Sequence, residues 1–147
     1  MILLKPKPKP NMVNAFIRDK NNYALLINNI KHGEDRWEFP GGKVENGADL
    51  EEMACKEALQ ELDIEIKLKR VDKKKILGDY ETQTPEGDFL CRTYFAKIIN
   101  GEPKIIEPDK HDKFDYFSYT NLLKLNVSKM LVPNLVLALP KLQEYMK

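Results

Sequence analysis

Hydrophobic residues follow a strand-like pattern near the start of the chain and a helical pattern after it. Residues 12–18 and 23–30 are rich in residues that favour strands, and the turn residues at 19–22 between them predict a β-hairpin. Apolar residues then recur at helical spacing over 49–62. This spacing predicts a helix that is capped by Asp49 or by the residue before it.

More strands and a second helix are predicted in the rest of the chain. Apolar and β-branched residues indicate strands at 64–68, 75–80, 89–99 and 114–119. Residues 131–145 have a helical period, although Pro140 is expected to kink or end that helix. The order of strands, helix, strands and helix predicts a mixed α/β or α+β architecture. A Lys-Pro alternation predicts an extended leader over 1–10, followed by a single domain over 11–147.

Length, charge and cysteine content narrow the class of protein. The 147 residues suit one domain, and 24 Lys and Arg against 23 Asp and Glu leave a net charge of +1. This balance gives no bulk electrostatic reason to bind nucleic acid or an anionic membrane. No apolar run approaches the ~18 residues that span a bilayer, and the two cysteines have no metal-binding or redox spacing. We therefore expect a soluble, cytoplasmic protein with no membrane partner.

The segment with the clearest chemistry joins a glycine turn to the first predicted helix. Glu57 and Glu61 are four positions apart, so their carboxylates lie on one helical face and can bind one cation. Mg²⁺ prefers oxygen ligands, and the backbone carbonyls of a glycine turn are open to a ligand. Such a site suits attack of water on a bridging phosphate. The alternative is a solvated acidic face whose glutamates pair with nearby lysines.

This segment resembles the signature of the Nudix (MutT-like) hydrolases. That signature is G-x5-E-x7-R-E-U-x-E-E-x-G-U, where U is a bulky aliphatic residue. From Gly42 this chain reads GKVENGADLEEMACKEALQELDI without a gap, and the preceding WEFPG is also typical of the family. The resemblance covers most of the chain. It implies an α/β/α sandwich with a mixed β-sheet and hydrolysis of a phosphoanhydride bond.

The signature is degenerate at four positions. Ala48 replaces its first Glu and Lys56 its Arg, which removes a salt bridge that commonly joins loop and helix in the family. Gln60 replaces the first Glu of the E-E pair, so one negative charge is lost where the family often binds metal. Asp63 replaces the Gly that ends the helix, a mild change because Asp tolerates the left-handed conformation.

The resemblance also implies a metal site. Glu57 and Glu61 correspond to the catalytic, metal-binding glutamates of the family, and Glu57 also to a residue that serves in some members as general base. A further acid usually comes from a loop outside the signature, for which Asp112 is the first candidate and Glu107 the second. The neighbouring His111 either contacts phosphate or is exposed. The implied ligands of Mg²⁺, or alternatively of Mn²⁺, are Gly41, Glu57, Gln60, Glu61 and Asp112.

Candidate substrate contacts lie on both sides of the signature. Trp37 and Phe39 either stack on a base or belong to the core. Asn134 resembles in position an Asn that reads the purine edge in MutT-like members, and its alternative role is to cap the last helix. The expected substrate-binding residues are Arg36, Trp37, Glu38, Phe39, Lys43 and Asn134.

Three functions are compatible with these residues. The first is Mg²⁺-dependent hydrolysis of nucleoside or deoxynucleoside triphosphates, canonical or oxidised, to nucleoside monophosphate and pyrophosphate. The second is the same chemistry on dinucleoside polyphosphates or capped RNA ends, for which Tyr80 is the specific support. The third is a nucleotide-binding or regulatory module of the same fold whose turnover is impaired, which the four departures motivate. The partner is a nucleotide in each case, and a homodimer is left open.

Overall fold

The computed structural model describes residues 8–147. The leader predicted over 1–10 falls mainly on residues 1–7, which lie outside the described residues, and residues 8–10 belong to no helix or strand. The strands of the described part are β1 (Met12–Ile17), β2 (Ala24–Asn29), β3 (Arg36–Glu38), β4 (Gly41–Lys43), β5 (Glu65–Leu68), β6 (Ile76–Thr84), β7 (Gly87–Asn100) and β8 (His111–Phe117). The helices are α1 (Leu50–Leu62), α2 (Tyr119–Val127) and α3 (Pro133–Leu142), with a short 3₁₀ turn at Lys31–Gly33.

The strands form two sheets. A mixed sheet has the order β4-β1-β7-β5, with β6 also paired to β7, and β1 runs parallel to β7. A smaller antiparallel sheet has the order β3-β2-β8. The chain therefore passes from one sheet to the other between β3 and β4, across only two residues.

Helices cover both faces of these strands. Ala15 and Ile17 of β1 pack with Ala58 and Leu62 of α1, whereas Phe16 packs on the opposite side with the residues of α2 and α3. Alternate residues of a strand point to opposite faces, so a strand that is covered on both sides is apolar throughout. The predicted α/β/α sandwich with a mixed sheet is confirmed by this layering and by the solved structures described below.

The predicted β-hairpin at the start of the chain is wrong. The turn is present, since the Asp19 carboxylate accepts hydrogen bonds from the backbone N–H groups of Asn21 and Tyr23. Beyond one bridge between Arg18 and Ala24, however, the two strands join different sheets. Both are buried on two faces, so each finds its hydrogen-bonding partners elsewhere in the chain.

Helix α1 begins and ends as its sequence predicts. The Asp49 side chain accepts a hydrogen bond of 3.0 Å from the backbone N–H of Glu52, which confirms it as the N-cap. Asp63 follows the helix in the left-handed conformation, with φ of 55°. The change from the signature Gly to Asp63 thus keeps the usual helix ending. Within residues 8–147, no helix is long and apolar enough to cross a membrane.

Candidate active site

A wide cleft of about 1320 Å³ opens beside the glycine turn and the end of α1. Its walls come from β3, β4 and the last turns of α1, from the β6–β7 hairpin, and from the segments that precede β8 and α3. The cleft therefore contains Lys43, Glu57, Glu61 and Asp63 of the charged signature residues.

The glycine turn lies directly against the two signature glutamates. The backbone N–H of Gly41 donates a hydrogen bond of 2.7 Å to Oε1 of Glu61. A Cβ atom at Gly42 would lie 2.8 Å from Cδ of Glu57, and one at Gly41 would collide with the backbone of Val13. Strand β1 therefore excludes a side chain at Gly41, whereas a side chain at Gly42 would displace the Glu57 carboxylate. The spacing of Glu57 and Glu61 brings both into the cleft.

A third carboxylate and a histidine complete this cluster. Nε2 of His111 lies 3.1 Å from Oε1 of Glu38 and 3.4 Å from Oε2 of Glu61. These three groups come from β8, β3 and α1, and the pairing of β2 with both β3 and β8 sets the positions of Glu38 and His111. His111 is 2% exposed, so the alternative of an exposed histidine is wrong.

Burial and mutual repulsion perturb the glutamates. Burial, followed by the charges of Glu38 and Glu57, raises the pKa of Glu61 well above its usual range. Burial also raises the pKa of Glu57, against the opposing effect of Lys56. Burial is the first cause of both shifts, so the folded protein disfavours ionised carboxylates at these positions when no cation lies beside them.

This donor set fits a divalent cation. Carboxylates of Glu57 and Glu61 and the side-chain amide of Gln60 line the same cleft, and hard cations prefer oxygen ligands. Within residues 8–147, Glu57 and Glu61 form no ion pair with Lys or Arg, so their charge is available to a metal. The N–H of Gly41 binds Glu61, and its carbonyl stays the ligand that the family resemblance implies.

Several basic residues line the same cleft as the carboxylates. Lys31, Arg36, Lys43 and Lys110 line it, and they can bind the phosphates of a substrate. Lys43 lies 3.7 Å from Glu86 and Lys110 lies 3.0 Å from Glu107, both as exposed or half-exposed pairs. Such pairs contribute little to stability, so the two lysines can exchange partners at small cost.

Three of the predicted site residues lie outside the cleft lining. Trp37 and Phe39 are 6% and 3% exposed, and both belong to the core, where Trp37 packs edge-to-face on Phe117. Asp112 is exposed and follows His111 on strand β8. His111 contacts the glutamates, whereas the Asp112 side chain is exposed to solvent outside the cleft lining. Glu107, the second candidate acid, does line the cleft.

The other predicted contacts lie in the cleft. Arg36, Glu38 and Lys43 line it, as does Asn134 at the start of α3. The N-cap of α3 is Val132, so the alternative that Asn134 caps this helix is wrong. Among the described residues, the buried Oδ1 of Asn134 has no hydrogen-bond partner.

The sequence did not indicate the contribution of the β6–β7 hairpin. Thr82, Gln83, Thr84 and Phe89 line the cleft opposite the glycine turn. The available signal was the polar run at 81–84, which lies between the strand predicted at 75–80 and Pro85. Asn29 was also missed, and its side chain donates to Oε2 of Glu38 over 3.4 Å.

Comparison with known proteins agrees with this architecture. A family model described as the NUDIX domain matches residues 8–134. The chain is similar to the MutT protein of Methanosarcina mazei Go1 (TM-score 0.74, 18% identity, 96% of this chain and 97% of that one). It is also similar to a MutT NUDIX hydrolase of Burkholderia pseudomallei (TM-score 0.74, 25% identity, 92% and 98%). A third similar structure is the binary complex of a C. elegans Ap4A hydrolase (TM-score 0.71, 14% identity, 93% and 97%).

The family match includes both the glycine turn and the two glutamates that face it. Hydrolases of this family generally use a divalent metal and act on nucleotides. Because the family model spans the whole signature and the strands on either side of it, the chain belongs to the Nudix family.

Proposed function

We propose that the protein is a Mg²⁺-dependent hydrolase of nucleoside or deoxynucleoside triphosphates, canonical or oxidised. Its products are a nucleoside monophosphate and pyrophosphate. The observation that carries the proposal is the contact of Glu57 and Glu61 with the glycine turn at Gly41 and Gly42. This contact occurs in a cleft that also presents several basic side chains to an anionic substrate.

In the proposed reaction, some cleft residues would bind the metal and one would accept a proton. When bound, the metal supplies charge neutralisation on the phosphates and lowers the pKa of water. Glu57, Glu61 and the side-chain oxygen of Gln60 would hold it, with the backbone of Gly41 beside them. Glu57 is half-buried beside the glycine turn, where its carboxylate can accept the proton of the attacking water.

Two further groups support a nucleotide in this cleft. Lys31 and Lys110 lie on the carboxylate side, where they can neutralise phosphate oxygens that the metal does not reach. Asn134 lines the cleft at the start of α3, and a side-chain amide offers both a donor and an acceptor to a base edge. We infer that the base binds near Asn134 and the phosphates near the glycine turn.

A second candidate function is a module that binds nucleotide with impaired turnover. Gln60 favours it, because this exposed cleft residue supplies no charge to the metal. Hydrolysis of dinucleoside polyphosphates has less support from the geometry. Tyr80, which motivates it in the sequence, is half-buried against Gly78 and is not part of the cleft lining.

The test is product analysis with a panel of nucleotides, with and without Mg²⁺. The panel contains canonical and oxidised triphosphates, dinucleoside polyphosphates, ADP-ribose and capped RNA. We expect metal-dependent release of pyrophosphate from a triphosphate, lost in Glu61→Gln and retained in Glu52→Gln. Glu52 is the matched control because it is an exposed glutamate on the same helix, outside the cleft. Release of inorganic phosphate instead of pyrophosphate contradicts the proposed bond specificity.

Reversion of the degenerate position separates the two candidates. If the chain is a hydrolase, Gln60→Glu increases an activity that the native protein already has. If the chain is a binding module, the native protein binds nucleotide by calorimetry but releases no product with any member of the panel.

A further inference from the structure

Glu38, Glu61 and His111 form a cluster that the proposed hydrolytic site does not use as a unit. One potential ligand atom from each lies within 4.8 Å of the other two. The separations from Nε2 of His111 are 3.1 Å to Glu38 Oε1 and 3.4 Å to Glu61 Oε2. Two ligands bonded at about 2.1 Å to one cation lie about 3.0 Å apart at a right angle and about 3.4 Å apart at the tetrahedral angle. Each glutamate is therefore spaced from the imidazole like a neighbouring ligand of a single ion.

Each carboxylate is held by its outer oxygen. The backbone N–H of Gly41 donates to Oε1 of Glu61 over 2.7 Å, and the side-chain amide of Asn29 approaches Oε2 of Glu38 at 3.4 Å. The remaining oxygen of each glutamate faces the imidazole. Outer hydrogen bonds of this kind orient the carboxylate and histidine ligands of metal sites.

Burial makes the cluster costly without a cation. Glu61 is 5% exposed and His111 is 2% exposed, and the side chain of Glu38 is 18% exposed. Within residues 8–147, no Lys or Arg lies within ion-pair distance of either glutamate. Two carboxylates that share a buried position repel one another, and both lose their hydration. A divalent ion between them offsets this cost, whereas one imidazole carries too little charge to do so.

We propose that Glu38, Glu61 and His111 bind a divalent transition-metal ion such as Mn²⁺, Co²⁺ or Zn²⁺. The ring nitrogen determines this class, because imidazole is a good ligand for transition metals whereas Mg²⁺ selects oxygen. This site shares Glu61 with the proposed Mg²⁺ ligands and adds Glu38 and His111 from the opposite sheet. The chain thus offers a nitrogen-containing alternative in a cleft where the signature has lost one carboxylate at Gln60.

The position of Nδ1 is compatible with this assignment. Metal binding through Nε2 leaves the ring proton on Nδ1, which is buried and has no hydrogen-bond partner among the described residues. When the proton is on Nε2 instead, Nδ1 also has no hydrogen-bond partner. Metal binding through Nε2 therefore does not add an unpaired ring nitrogen.

The test reads coordination directly and needs no substrate. Metal-stripped full-length protein is loaded with Mn²⁺, and coupling of the electron spin to ¹⁴N is measured by pulsed electron paramagnetic resonance. The chain has only two histidines, so His32→Asn, at an exposed position, is a matched control for His111→Asn. We expect imidazole ¹⁴N coupling in the native protein and in His32→Asn, and its loss in His111→Asn. Absence of coupling in the native protein, or its survival in His111→Asn, overturns the proposal.

Two further measurements guard against a variant that fails to fold. In the native protein, Zn²⁺ is expected to shift the Nε2 resonance of one histidine in ¹⁵N spectra of the imidazoles and to leave the other unchanged. Calorimetry of Glu38→Gln is expected to show at least about tenfold weaker Zn²⁺ binding with little change for Mg²⁺. If neither imidazole responds to Zn²⁺, the site is wrong even where nucleotide hydrolysis with Mg²⁺ is intact. If hydrolysis is absent and the imidazole responds, only the proposed function fails.

Discussion

Replacement of Glu61 by Gln is expected to stabilise the metal-free protein while it abolishes turnover. Glu61 is 5% exposed, and burial together with the charges of Glu38 and Glu57 raises the pKa of its carboxyl well above its usual range. Gln has nearly the same shape, and its amide oxygen can still accept the 2.7 Å hydrogen bond from Gly41. The substitution therefore removes the charge and keeps the packing.

The pH dependence of stability follows from the direction of this shift. In the unfolded chain Glu61 ionises at its ordinary pKa, whereas in the folded protein it keeps its proton to higher pH. Between the two pKa values the folded state binds more protons, so its stability is greatest below the ordinary pKa and falls as pH rises. The loss ends above the folded-state pKa. Each pH unit inside this window costs about 1 to 2 kcal/mol, which is roughly 3 to 6 °C in Tm for a protein of this size.

The assay is thermal unfolding followed by circular dichroism, from pH 5 to pH 9 in the presence of EDTA. We expect Tm of Glu61→Gln to exceed that of the native protein by an amount that grows with pH, while Glu52→Gln follows the native curve. Saturating Mg²⁺ is expected to reverse the order, since ligand at 100 times Kd stabilises the native fold by about 3 kcal/mol and the variant binds it weakly. Parallel pH curves for native protein and Glu61→Gln in EDTA would refute this account of the buried carboxylate.

Three other substitutions separate the site from the scaffold. Gln60→Glu is expected to raise kcat severalfold at limiting Mg²⁺ and to leave Tm within about 1 °C, because the residue is exposed; a lower kcat in a Mg²⁺ titration would contradict this. Gly42→Ala places a Cβ atom 2.8 Å from Cδ of Glu57. Because this displaces the carboxylate, kcat is expected to fall at least about tenfold. Unchanged kinetics would show that catalysis does not need Glu57 in this position. Asp49→Ala removes the N-cap of α1. The free energy of unfolding, measured with denaturant, is expected to fall by about 1 kcal/mol while KM stays unchanged. No loss of stability would mean that the cap contributes nothing.

Local patterns in the sequence predicted the elements whose structure is determined locally. Helix α1 has both an apolar face and a capping residue, and it begins at Leu50 as expected. The pairing of β1 is decided by strands far along the chain, which is why turn chemistry at Asp19 suggested a hairpin that does not form. Helix α2 was not predicted because its nine residues bury only Leu122 completely, too weak a pattern to recognise. Its cap at Ser118 was the one available signal.

In the site, too, contacts within one helix could be predicted from the sequence, whereas contacts between distant strands could not. Convergence of Glu57 and Glu61 follows from helical geometry, so their spacing was enough to predict it. Contact between Glu38 and His111 spans 73 positions and depends on the register of β2 with two neighbouring strands. A shift of one residue in that register would turn His111 outwards and Asp112 inwards. Nothing in a single sequence fixes such a register, and Asp112 was accordingly the wrong neighbour to expect beside the glutamates.

The short passage from β3 to β4 has a consequence for how the molecule unfolds. Only Phe39 and Pro40 separate the two strands, and both residues are buried. This short link therefore connects the two sheets directly, beside the cleft. Trp37, just before the link, donates to the carbonyl of Met130 over 2.7 Å and accepts from Val132 over 3.1 Å. The sheets therefore cannot separate at this edge without disrupting the entry to α3 as well. In a partly folded chain with only one sheet formed, Glu38, Glu61 and His111 are not all in place. Binding of an ion that needs all three therefore indicates that the whole domain has folded.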